Sequence, residues 1–288
     1  MDLPNEDLEH FIRRGYLVIP SRVAPEVNER IWNKAAHTAS HGPHAAAELG
    51  DNVLPAIPDL FEVLESPVVD QALRAVLGED YLLHGHRHLH LSSRAEQMWH
   101  KDSYWGFRRM RHHRPRWCMM LYYPQDTTLN MGPTHVLAGS QYWTVDSDGV
   151  AQGEDVLTDA SGPKSMFVEG ETSERQQKLR EAEQKLLGPS PARTRALAED
   201  VALTVPAGSC VLMHYDLFHR AGFRVDKDAP QRFMFKFQFL RTREPARALH
   251  SCPESPPPCS SLPPLVLPWP CGDFCGNNQQ QSSCGSNY

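Results

Sequence analysis

The nine residues from Arg232 to Leu240 (Arg-Phe-Met-Phe-Lys-Phe-Gln-Phe-Leu) alternate without a break between phenylalanine and other side chains. Successive side chains of an extended strand point to opposite sides, so one face of this segment is entirely Phe233, Phe235, Phe237 and Phe239. The other face carries Arg232, Met234, Lys236 and Gln238. A four-phenylalanine face must be covered, and the N-terminal helices are the expected cover. The Arg232 face is then expected to look into a barrel interior. The same period of two runs through 81–91, 117–123, 134–138, 201–205 and 209–214. Short strands separated by Pro, Gly and Asn turns predict a double-sheet jelly roll rather than a parallel sheet.

Helical patterns precede the strands instead of alternating with them, which disfavours a doubly wound fold. Leu8, Phe11 and Ile12 recur at helical spacing, Gly15 ends that helix, and Tyr16-Leu17-Val18-Ile19-Pro20 follows as a strand. Pro25 to Ala36 reads as a helix opened by proline, and 59–77 holds further helical segments closed by Gly78. The expected organisation is one domain over 1–245, with a helical part at 1–80 and the barrel at 81–245. Residues 144–200 read as an insertion that carries a charged helix over 171–187. In the stretch from Ser251 to Pro270, 8 of 20 residues are proline. The region 246–288 is therefore expected to be a disordered tail, because such a composition cannot bury enough apolar surface to fold.

A net charge of −6 argues against a general nucleic-acid binder. No apolar run approaches the roughly 20 residues needed to span a bilayer. The acidic start, Met1-Asp2-Leu3-Pro4-Asn5-Glu6-Asp7, does not resemble a secretory signal, so a cytoplasmic location is expected. Of the seven cysteines, Cys118 and Cys210 sit in apolar strand-like runs, where the thiol behaves as a small hydrophobe. The other five fall in the tail without a C-x-x-C pair, which speaks against a zinc knuckle.

An iron centre that must bind O₂ and an organic co-substrate needs three protein ligands on one triangular face and three open positions. On a strand, His-x-Asp places an imidazole and a carboxylate on one side, and a second histidine must come from elsewhere. The chain holds two such patterns, His100-Lys101-Asp102 and His214-Tyr215-Asp216. The pattern alone does not choose between them.

The surroundings do. Gln97-Met98-Trp99-His100-Lys101-Asp102-Ser103-Tyr104-Trp105 resembles the Trp-His-x-Asp segment of the phytanoyl-CoA dioxygenase family. Asn130-Met131-Gly132-Pro133-Thr134 and Gly139-Ser140-Gln141 look like that family's Asn-Gly-Pro and Pro-Gly-Ser-His turns, in the same order. Val205-Pro206-Ala207-Gly208-Ser209 through His219-Arg220-Ala221-Gly222 looks like its glycine turn, apolar strand and distal histidine. Phe11 to Pro20 resembles its opening segment. The resemblance spans about residues 8–243 and implies a mainly β, cupin-like double-stranded β-helix packed on N-terminal helices. It implies Fe(II), with 2-oxoglutarate and O₂ as co-substrates, and oxidation of a small molecule with release of succinate and CO₂. By position, His100, Asp102 and His219 take the catalytic, metal-ligating roles.

In that family an arginine after the distal histidine pairs with the far carboxylate of 2-oxoglutarate, for which its planar fork is suited. Arg232 is expected in this role because it opens the last strand on the barrel-facing side; Arg224, in a loop, is the rival. Gln97 and Trp105, flanking the ligand pair, are expected to border the cofactor, with Trp105 as a pocket wall. Gln141 stands where the family usually has histidine, and Met131 separates Asn130 from Gly132. Aspartate rather than alanine or glycine at position 102 favours hydroxylation over halogenation.

Two further features have competing readings. His84, His86, His88 and His90 share one strand face, which either lines the barrel or forms a solvated row. The basic run 107–116 is either a solvated loop or a rim that attracts an anionic substrate. His214-Tyr215-Asp216 is expected to be structural. No nucleic-acid or membrane partner is expected, and the protein would act as a monomer or homodimer. Two other functions remain compatible: a cupin-type metalloenzyme without 2-oxoglutarate, and a non-catalytic binding protein that retains the fold.

Overall fold

The computed structural model describes residues 3–41, 49, 52–93, 95–97, 99–102, 115–142, 167–169 and 199–243. The expected helix at 171–187, nearly all of the 107–116 run and the tail 246–288 lie outside the described residues. The chain divides into two units, 1–245 and 246–288.

Helix α1 (Asn5–Arg14) ends at Gly15, whose φ of 80° is the left-handed cap conformation that glycine adopts without strain. Strand β1 (Tyr16–Pro20) follows, then α2 (Pro25–Ser40), which runs four residues beyond its expected end. Three shorter helices come next: α3 (Val53–Ala56), α4 (Leu60–Leu64) and α5 (Pro67–Leu77). The remaining strands are β2 (Tyr81–Leu83), β3 (His88–Leu91), β4 (Ala95–Gln97), β5 (Trp117–Tyr123), β6 (Thr134–Ala138), β7 (Phe167–Glu169), β8 (Glu199–Ala202), β9 (Ser209–His214), β10 (His219–Ala221) and β11 (Phe233–Arg241).

All pairings are antiparallel. The large sheet has the order β1-β9-β5-β11-β2, with β3 also on β11; a second sheet has the order β10-β6-β8, and β4 pairs with β7. The architecture is thus mainly antiparallel β with helices on one side. The segment 81–91, expected as one strand, is two. The His84 imidazole Nδ1 accepts the His86 N–H at 3.1 Å, a local bond that replaces the ladder there. The strand expected at 201–205 lies at 199–202, and Val205 instead bridges Thr127.

Strand alternation decides which core each residue enters. On β11, the four phenylalanines join Phe11, Val27, Ile31, Ala35, Leu73 and Leu77 in a core between sheet and helices. Trp32 of α2 meets Phe233 edge-on at 6.3 Å between ring centroids. Cys118, Met120 and Tyr122 of β5 and Cys210 and Leu212 of β9 face the same side. Their neighbours Met119, Leu121, Tyr123, Val211 and Met213 face the other way, packing with Met234 and with Val136 and Ala138 of the second sheet. Both faces of the large sheet are therefore covered, and β5 and β9 read as continuous apolar runs. Cys118 and Cys210 are free and fully buried, as small hydrophobes.

Candidate metal centre

Strand β10 begins at His219, and an isolated antiparallel bridge sets His219 directly opposite His100. The His100 N–H donates to the His219 carbonyl at 3.1 Å, and the His219 N–H donates back to the His100 carbonyl at 3.0 Å. Directly opposed residues project their side chains to the same side. The two imidazole centroids consequently stand 4.3 Å apart. Asp102, two residues beyond His100, returns to that side. Its Oδ1 lies 3.8 Å from His100 Nε2 and 3.9 Å from His219 Nε2. One donor atom from each of the three lies within 4.8 Å of the others. Among the described residues it is the one group of this kind.

The electrostatics prepare these atoms for a cation. His219 Nδ1 sits 3.0 Å from the Leu217 carbonyl. A carbonyl only accepts, so Nδ1 carries the proton and Nε2 turns its lone pair towards His100 and Asp102. Burial, reinforced by Lys236 and opposed by Asp102, lowers the His219 pKa and keeps the ring neutral. At Asp102 burial disfavours the charge, but the facing Lys236 ammonium is the largest influence in the other direction, and the carboxyl is held far below the usual carboxylate range. Lys236 donates directly to Asp102 Oδ2. Two imidazoles and one carboxylate form an N/N/O set suited to Fe(II) and related divalent ions, with three positions left open in an octahedron.

Arg232 lies on the same face of the last strand segment as Lys236, and therefore towards the same interior. It is 1% exposed. Its backbone N–H donates to Ser92 Oγ at 3.0 Å and its Nε donates to the Gly132 carbonyl at 2.9 Å. Among the described residues its buried Nη1 has no hydrogen-bond partner. Burial alone pushes down the pKa of this guanidinium. A planar guanidinium of this kind matches the geometry of a carboxylate. Gly132 makes the arrangement possible. Its φ is 69°, and a Cβ there would lie 2.7 Å from the Gly222 carbonyl oxygen and 2.9 Å from the Arg224 nitrogen. The Asn130–Thr134 turn thus packs backbone to backbone against the segment after His219.

Other expected residues separate cleanly. Arg224 spends Nη2 on the carbonyls of Lys227 (2.9 Å) and Ala229, so it braces its own loop. Gln97 Oε1 accepts the Ala221 N–H at 3.2 Å, which ties β4 to the strand that begins at His219. Trp105 lies outside the described residues. His214 and Asp216 are buried, and His214 Nδ1 accepts the Asp216 N–H at 3.1 Å while its ring stacks on Phe11; they serve the core. Gln141 Nε2 donates to the Ile12 carbonyl at 3.0 Å and so secures the end of α1. In the histidine row, His88 pairs across the ladder with Lys236 and His90 with Met234, which puts both on the barrel-facing side. His84 meets Trp117, the ladder partner of Leu240 on that same face of β11, edge-on at 5.1 Å. Lys236 was not singled out from the sequence. The signal was present, since it shares a strand face with Arg232, but its carboxylate partner is 134 residues away.

The family model described as phytanoyl-CoA dioxygenase (PhyH) matches residues 3–225. No curated protein matches the chain by sequence. Solved structures with this fold include AviO1 from Streptomyces viridochromogenes Tue57, at 15% identity and TM-score 0.54 over 83% of this chain and 96% of that one. EctD from S. alaskensis, solved with 2-oxoglutarate and 5-hydroxyectoine, is 16% identical with TM-score 0.54 over 83% and 76% of the two chains. The non-heme alpha ketoglutarate dependent epimerase SnoN from nogalamycin biosynthesis is 12% identical with TM-score 0.53 over 82% and 79%. No helix among the described residues is long and apolar enough to cross a membrane.

Proposed function

The chain belongs to the phytanoyl-CoA dioxygenase family, and from that premise we propose that it is an Fe(II)- and 2-oxoglutarate-dependent dioxygenase acting on a small molecule. The reading includes a double-stranded β-helix as the scaffold. The observation that carries it is the convergence of His100, Asp102 and His219, with one donor atom of each within 4.8 Å of the others.

In this reading His219 and His100 bind iron through their Nε2 atoms and Asp102 through Oδ1. The bond from His219 Nδ1 to Leu217 keeps the ring oriented and its Nε2 unprotonated. Arg232, held by Gly132 and Ser92, offers Nη1 to the carboxylate of 2-oxoglutarate remote from the metal. Gln97 borders the centre while bracing β10. His88 and His90 line the barrel-facing side of β3 and are available to contact substrate. When bound, iron with 2-oxoglutarate and O₂ supplies the oxidising chemistry, coupled to release of succinate and CO₂. Hydroxylation of a C–H bond is the outcome favoured by an intact carboxylate ligand.

The test is succinate release from the aerobic protein with Fe(II) and 2-oxoglutarate, alone and with a panel of small carboxylic acids and CoA esters. Release that His219→Ala abolishes supports the reading. Tight binding of iron with no release under any of these conditions overturns it in favour of a metal centre that does not use 2-oxoglutarate.

A further inference from the structure

Asp102 presents its two carboxylate oxygens to different neighbours. Oδ1 is the atom that faces the imidazoles, at 3.8 Å from His100 Nε2 and 3.9 Å from His219 Nε2. Oδ2 accepts from the Lys236 ammonium. The ion pair is enclosed: the two side chains retain 12% and 15% of their accessible surface. Lys236 is held in place from behind. Its strand pairs with His88 on one side and with Leu121 of β5 on the other, so its backbone sits in the middle of a sheet. Phe235 and Phe237 on either side of it are fully buried. The Lys236 stem therefore starts from a fixed backbone position facing Asp102.

A lone carboxylate beside a divalent cation can bind through one oxygen or through both. Binding through both takes up two of six octahedral positions and leaves two open instead of three. A charge-assisted hydrogen bond to one oxygen occupies one of its lone-pair sites, draws charge from it and so weakens it as a metal donor, and fixes the rotation of the group. We propose that Lys236 is a positioning residue that keeps Asp102 a one-oxygen ligand, so that three coordination positions stay open for co-substrates. This rests on the reading of His100, Asp102 and His219 as metal ligands. It adds a residue to the centre that neither the His-x-Asp pattern nor the distal histidine predicts.

The experiment loads the full chain with Mn(II), which accepts the same N/N/O set, and counts water ligands without O₂ or 2-oxoglutarate. Broadening of the Mn(II) electron paramagnetic resonance lines in ¹⁷O-enriched water reports that number. Three waters are expected in the wild type and in Lys236→Arg, whose guanidinium restores the charged donor. Two are expected in Lys236→Met, a loss of one third. An unchanged count of three in folded, Mn(II)-loaded Lys236→Met overturns the proposal. A crystal structure of the Mn(II)-loaded wild type tests it without any variant. Metal bonded to Oδ1 with Lys236 on Oδ2 supports it, and metal bonded to both oxygens overturns it. Failure of the wild type to bind Mn(II) at all would instead remove the ligand assignment on which the proposal stands.

Discussion

Arg232→Met tests the co-substrate site with a change that leaves the volume of the side chain nearly intact. Arg232 is 1% exposed, so its interaction with an incoming carboxylate needs no discount for solvent screening. Removing one partner of a buried, hydrogen-bonded ion pair costs about 3–5 kcal/mol. At about 1.4 kcal/mol per factor of ten, 2-oxoglutarate binding should weaken roughly a hundredfold to a few thousandfold. Folding should suffer much less. The variant loses the 2.9 Å bond from Nε to Gly132, a charged hydrogen bond of about 1.5–3 kcal/mol. It also no longer buries a cation whose Nη1 has no partner, a relief of comparable or larger size. The melting temperature of the protein without co-substrate should therefore stay within about 5 °C of the wild type, since about 1 kcal/mol moves it about 2–4 °C at this size. The assay is anaerobic calorimetric titration of 2-oxoglutarate into the Mn(II)-loaded protein. Mn(II) affinity itself should change by less than about threefold, because Arg232 touches none of the three ligands. Arg224→Met is the paired control and should leave 2-oxoglutarate binding unchanged, its Nη2 being committed to Lys227 and Ala229. A loss in Arg224→Met with retention in Arg232→Met would refute the assignment.

Other outcomes follow from the same geometry. His219→Ala and His100→Ala should each abolish stoichiometric Mn(II) binding while melting as cooperatively as the wild type, checked by equilibrium dialysis and circular dichroism. Gly132→Ala should destabilise the fold by about 2 kcal/mol or more, because its φ of 69° is unfavourable and its Cβ would press on the Gly222 carbonyl. It should also weaken 2-oxoglutarate binding, since the Gly132 carbonyl holds Arg232; urea unfolding and the same titration read both effects. Phe237→Ala, in the seam between β11 and the helices, should cost about 3–5 kcal/mol in urea unfolding, whereas a cost below about 1 kcal/mol would mean that the phenylalanine face does not close the core.

Some of this protein follows from local pattern alone. Periodicity places β5, β6, β9 and β11, because a strand buried on both faces or alternating between two cores leaves its mark residue by residue. The division of β11 into a phenylalanine face and an Arg232 face is such a mark, and the phenylalanine face meets the helices expected to cover it. His100 and Asp102, two residues apart, present their donor atoms to one side, although the expected strand there is only a single bridge at His100 followed by a bend at Asp102. Their link to His219, 117 positions further on, came from resemblance, since nothing in the spacing of histidines selects it. The short strands β4 and β7 escaped notice because three residues carry no period, and His214 and His219, expected on one strand, belong to β9 and β10 of different sheets. The break of 81–91 into two strands was hidden for a related reason, a side-chain bond from His84 that periodicity does not register.

What only the tertiary structure decided is pairing across distance. The sheet register sets Lys236 opposite His88 and turns it towards Asp102, and no property of either residue in isolation announces that contact. The two candidate arginines likewise differ in tertiary surroundings that sequence does not register, Arg232 bonding the Gly132 carbonyl 100 residues away and Arg224 the carbonyls of its own loop. Side-chain direction is encoded within a few residues of chain, whereas the partner it meets depends on how far other strands slide before they pair. The ligand types could thus be read from the amino acids, and the orientation of the carboxylate between two imidazoles and an ammonium could not.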